Sequence, residues 1–161
     1  MSISVNFELP NEKNLEFIAQ HMREADIAEI TASCGFAVRQ ALKSSVRLSD
    51  WCFVLTFEEE PVAVIGLVRS ELNPSLGSPW MLGTDSIDKH PAAFFKTLKY
   101  VIGVMLCMCS YLGNFVHAKN EKSVRFLSHI GFILDEPKPF GTSGELFHKF
   151  YIGETQCALT Q

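Results

Sequence analysis

Asn120-Glu-Lys-Ser-Val-Arg-Phe-Leu-Ser-His-Ile-Gly-Phe132 is the stretch on which the fold turns. Asn120 can cap a helix by accepting from backbone N–H groups two or three residues on, and Gly131 can take the left-handed conformation that stops one. Between these caps Val124, Phe126, Leu127 and Ile130 fall on one apolar face, which needs a sheet to cover it. Phe132-Ile-Leu134 follows at once as a short apolar strand, so the stretch is a capped amphipathic helix feeding a sheet.

Outward from it, Asn114 to Ala118 reads as the strand before this helix, and Pro91 to about Leu112 as a long helix with proline in its first turn. Gly113-Asn114 is the expected break between them. Trp51 to Phe57 and Val62 to Val68 are β-rich runs joined by Glu58-Glu-Glu-Pro61, a hairpin signature in which Pro61 sets the start of the second strand. Trp80 to Thr84 is a further strand, followed by a polar loop from Asp85 to Pro91. At the start of the chain Ile3-Val5-Phe7 alternates like a strand. A helix from Glu12 to Met22, a second from Ala25 to Gly35 and a shorter third from Phe36 to Leu42 precede an Arg47–Asp50 loop. After Leu134 come a Pro- and Gly-rich loop from Glu136 to Gly144 and a last strand, Leu146 to Ile152. This order predicts an α/β fold: a mixed sheet with right-handed crossovers at the two later helices. Residues 1–152 are expected to form one domain and 153–161 a loose tail.

Composition excludes several classes. The chain has 161 residues, 47% apolar, enough for a two- or three-layer core. A net charge of -4 removes the general electrostatic case for nucleic acid. Cys34, Cys52, Cys107, Cys109 and Cys157 are an odd set with no secretory apolar segment, which points to reduced thiols in a cytosolic protein. Tyr100 to Val116 runs without a charge but falls short of the roughly 20 apolar residues a membrane span needs. Cys107 and Cys109 face different sides of a helix, and His21, His90, His117, His129 and His148 lack ligand spacing, so no metal is expected. There is no Walker loop, Rossmann fingerprint or nucleophile elbow.

The order of elements, with Asn120 through Phe132, resembles the GNAT (Gcn-five-related N-acetyltransferase) superfamily, whose pattern Asn-x-x-Ala-x-x-aromatic-Tyr-x-x-x-Gly-Phe follows the fifth strand. At finer grain, Asn120, Ser123, Arg125, Phe126, Leu127, Ile130 and Gly131 are similar to the tail motif of acyltransferase-like morphogenesis proteins of short-tailed bacteriophages. The subfamily resemblance implies a phage-encoded protein acting in virion assembly, catalytically degenerate, with phage structural proteins as partners, in the bacterial host's cytoplasm or in the virion. The superfamily resemblance implies the alternative, an active N-acyltransferase moving an acyl group from acetyl-CoA or another acyl-CoA to a small-molecule amine. A binding module that keeps the fold for its surface is a third class.

Three devices distinguish them. A superfamily member cradles pyrophosphate on a glycine-containing turn before a helix. Here that place holds Asp85-Ser-Ile-Asp-Lys-His-Pro-Ala92, without glycine and with two carboxylates. A splay between the fourth and fifth strands takes the pantetheine arm, which the resemblance assigns to Met81, Leu82, Gly83 and Thr84, with Asn120 and Ser123 across from them. Acid–base chemistry needs a base for the amine, with Glu71 and His117 as candidates, and a tyrosine for the leaving thiolate, whose motif position is Leu127.

Overall fold

The structure, a computed structural model, describes residues 2–154. Residues 155–161, most of the expected tail and Cys157, lie outside that range. In chain order the elements are β1 (Val5–Glu8), α1 (Glu12–Gln20), α2 (Glu24–Ser33), α3 (Val38–Leu48), β2 (Trp51–Phe57), β3 (Glu60–Arg69) and β4 (Leu76–Gly83). A 3-10 turn (Asp85–Lys89) then leads to α4 (Pro91–Met108), β5 (Tyr111–His117), α5 (Glu121–Ile130), β6 (Ile133–Leu134), β7 (Lys138–Pro139) and β8 (Leu146–Gly153). The strands form one sheet in the order β1-β2-β3-β4-β5-β8-β6, with β7 on β8. Every pairing is antiparallel except β4 with β5.

Both faces of the sheet are covered. Val62 to Leu67 of β3 are all buried, as an unbroken apolar run requires of a strand with helices on both sides. On one face α4 lays Phe94, Leu98, Val101, Ile102 and Met105 on the sheet, residues that recur every three or four positions along one stripe. On the other, Ile18 of α1, Ile30 of α2 and Leu42 of α3 close over Val54 and Val64. The opening stretch folds as its caps demand: Asn120 accepts from Ser123 N–H, and Gly131 ends α5 at φ 117°. Phe126 packs on Phe94 and Phe95 of α4, with ring centroids 5.4 and 5.8 Å away.

Four boundaries differ from expectation by three residues or more. The long helix ends at Met108, not Leu112, and β5 starts at Tyr111, because Tyr111 and Leu112 pair with β4 on one side and β8 on the other. Gly113, expected as the break, lies inside the strand, where an added Cβ would stand 2.8 Å from the Tyr111 ring. The uncharged run is thus divided between a helix and a strand. The third helix continues to Leu48, since Val38, Ala41, Leu42 and Val46 keep one side on the core past Ser44 and Ser45. Strand β4 begins at Leu76, well before Trp80.

Candidate functional site

The parallel pair β4–β5 is joined at only two positions, Leu76↔Tyr111 and Gly77↔Leu112. Beyond them β4 stays with β3 to Gly83 and β5 stays with β8 to His117, so the two strands fork. At the base of the fork Asn114 Nδ2 donates to the Pro79 carbonyl across 2.9 Å. A cleft of about 290 Å³ opens there, bordered by β4, β5, α2, α4 and α5.

The loop between α1 and α2 closes the far end of β4. Arg23 N–H donates to the Gly83 carbonyl at 3.0 Å, and Gly83 N–H donates to Asp26 Oδ2 at 2.8 Å. Asp26 is 4% exposed and also holds Arg23 at 2.7 Å. Strand alternation then fixes which peptide faces the fork: Pro79 and Gly83 direct their groups there, so Met81, midway between them, does as well. Met81 is the residue of β4 whose peptide edge is left to the cleft.

Docked in this way, α2 brings Glu29 to the fork. Its Oε2 accepts from His117 N–H at 3.2 Å and from Asn120 Nδ2 at 3.4 Å. Among the described residues its Oε1 takes no hydrogen bond, and Glu29 lines the cleft. Desolvation in this half-buried position, with Asp26 nearby adding to it, pushes the Glu29 carboxyl up from 4.5 to about 7, against the opposing hydrogen bond from His117. A carboxyl that titrates near neutrality beside a cleft is what a general base needs.

The expected site residues divide into two groups. Met81, Leu82, Asn120 and Ser123 line the cleft with Leu127 and Phe126. Gly83 does not offer its peptide to a ligand, because Arg23 and Asp26 occupy both its groups. Thr84 donates its N–H and hydroxyl to the Val62 carbonyl and caps the 3-10 turn through Ser86 N–H. Asn120 is 6% exposed and divides its side chain between the α5 cap and Glu29. Neither candidate base occupies the cleft. Glu71 is exposed in the β3–β4 turn, at the end of β4 where the strands are still joined. The His117 ring packs on Phe147 at 5.0 Å, with its buried Nε2 3.6 Å from Glu145 Oε2; only its peptide N–H reaches Glu29. Glu29 was missed, although Asp26, Glu29, Ile30 and Ser33 share one side of α2, a polar pair on an otherwise inward stripe.

The residues present fit one end of an acyl-CoA and not the other. The forked strands and the Met81 peptide suit an amide-bearing arm. The turn before α4 does not suit a pyrophosphate: Pro91 at the helix start has no N–H, and Lys122 and Lys89 are drawn to Asp88 at 2.6 Å and Glu60 at 3.6 Å.

No protein-family model matches the sequence, and no curated protein aligns with it as a relative. Solved acetyltransferases do share its fold. A spermidine N-acetyltransferase from Vibrio cholerae, in complex with CoA and spermine, superimposes with a TM-score of 0.68 at 10% identity, over 92% of this chain and 95% of that one. An aminoglycoside N(6')-acetyltransferase from Legionella pneumophila gives 0.69 at 13% identity, over 95% and 94%. An aminoglycoside acetyltransferase in complex with coenzyme A gives 0.67 at 13%, over 93% and 95%. These are GNAT acetyltransferases, and the α/β fold of this chain is theirs.

Proposed function

We propose that the protein is an acyl-CoA-dependent N-acyltransferase acting on a small-molecule amine, with Glu29 as its base. The observation that carries this reading is the open fork between β4 and β5, with a free carboxylate oxygen of Glu29 beside it. An acyl-CoA, when bound, supplies the thioester carbonyl carbon that an amine attacks. The Met81 peptide N–H faces the fork and would donate to the carbonyl oxygen of a thioester held there, as charge developed on it. Glu29 Oε1 takes the amine proton, while His117 N–H and Asn120 Nδ2 keep Oε2 fixed. Leu127 lines the cleft where a tyrosine would donate, and Tyr111 and Tyr151 face each other at the closed end, 6.1 Å between centroids. Ser123 is the hydroxyl on the α5 wall; a leaving thiolate otherwise takes its proton from solvent. The test is thiol release from acetyl-CoA with a panel of amines, for wild type and Glu29→Gln: the wild type should turn over and the variant should not.

A second reading draws on a different observation, the glycine-free turn before α4 with its carboxylates Asp85 and Asp88. Together with the Asn120–Gly131 motif it supports a phage-encoded virion-assembly protein that keeps the fold without the chemistry, acting on phage structural proteins in the bacterial host. That reading expects no saturable heat when acetyl-CoA is titrated into the protein, and defective particles when the gene is deleted.

A further inference from the structure

The acceptor side of the cleft is rich in aromatic surface and poor in free negative charge. Along the part walled by α2, α3 and the segment 138–145, the carboxylates are Asp26 and Glu29. Asp26 is already committed, to Arg23 at 2.7 Å and to the Gly83 N–H at 2.8 Å. Of these two, Glu29 keeps an oxygen without a hydrogen bond among the described residues. The same cleft is lined by Ile30, Trp80 and Leu82 and by the stacked pair Phe115–Phe140, whose ring centroids are 4.0 Å apart at 13°. Phe140 is 37% exposed and extends this flat wall towards solvent.

An ammonium group drawn into such a site needs its own carboxylate, since an unpaired charge out of water is costly. One ammonium finds Glu29. A second finds no free carboxylate among the described residues lining the cleft, and Glu145, in the segment that closes this wall, is held by Lys119 at 2.8 Å. A flat or apolar body, by contrast, finds the faces of Phe115 and Phe140. From this imbalance we infer that the acceptor is a primary monoamine carried on an aromatic or apolar body, not a polyamine or an aminoglycoside. Its chemistry rests on the transferase reading above; its binding preference does not.

Two measurements on the full chain separate the inference from that reading. Tryptophan fluorescence, reporting on Trp80 in the cleft wall, is titrated with phenethylamine and with spermidine. The monoamine should saturate at concentrations at least about tenfold lower, and Phe140→Ala, at an exposed loop position, should cut that preference several-fold. Equal or tighter binding of spermidine, or a preference unaltered by Phe140→Ala, overturns the inference. Acetyl transfer from acetyl-CoA is then measured on the same two amines. Faster transfer to spermidine overturns the inference and leaves the transferase; no transfer to either, with the binding preference intact, removes the transferase and leaves the ligand class.

Discussion

Glu29→Gln should make the protein more stable while removing the proposed acyl transfer. The carboxyl is held at about 7 in the fold against an ordinary 4.5, with burial as the main cause. Because the folded value is the higher one, the folded protein retains a proton that the unfolded chain has already lost between those two values. Stability therefore falls as pH rises through that window and levels off above about 7. The full cost is about 3 kcal/mol by linkage, reduced to about 2 kcal/mol for a group that is only half-buried. A glutamine amide oxygen can still accept from His117 N–H and Asn120 Nδ2, so the variant loses the ionisation and keeps the contacts. Urea unfolding of both proteins should give similar stabilities near pH 5 and a gap of about 2 kcal/mol in favour of the variant near pH 8, or roughly 4–8 °C in Tm. A gap that does not change with pH, or a variant less stable than wild type throughout, would refute the burial argument for Glu29.

Three further perturbations test the packing. Gly66→Ala should cost about 1–3 kcal/mol by urea unfolding, because the new methyl would stand 2.5 Å from Trp80 Cε2, on an indole fixed by its bond to Ser49 Oγ. Glu59→Gly should add up to about 1 kcal/mol, since Glu58 and Glu59 sit at φ 47° and 68° in the β2–β3 turn, a conformation glycine adopts without a Cβ penalty; unchanged thermal stability would count against strain there. Phe126→Ala should cost about 2–3 kcal/mol, below the fully buried value, because Phe126 is half-buried against Phe94 and Phe95; a loss under about 0.5 kcal/mol would contradict the α4–α5 packing.

Where the fold was legible, a local rule and the tertiary structure agreed. Asn120 and Gly131 mark α5 by their own chemistry, and Trp51 to Phe57 and Val62 to Val68 mark a hairpin by composition and spacing. The end of α4 was not legible, because Cys109-Ser110 carries no stop signal and the strand beginning at Tyr111 is fixed by partners distant in sequence. Of the residues expected at the candidate site, half line the cleft. Met81 and Asn120 were named through the resemblance, and the strand and the cap that hold them put both on the cleft wall. Glu29 could not, since a glutamate in a helix is ordinarily exposed, and this one is enclosed by a peptide 88 positions away at His117. Glu71 was a candidate for its chemistry and His117 for its place on the fifth strand, and the register of β5 and the direction of β3 take their side chains elsewhere.

The most direct test of the central claim, that this fork is an acyl-transfer site with Glu29 as its base, is the pH profile of acetyl-CoA-dependent amine acetylation for wild type and Glu29→Gln. The wild-type rate should rise through an apparent pKa of about 7, and the variant should lose that inflection together with about 10²–10⁴ in rate. No transfer by the wild type at any pH, together with no saturable binding of acetyl-CoA, would contradict it.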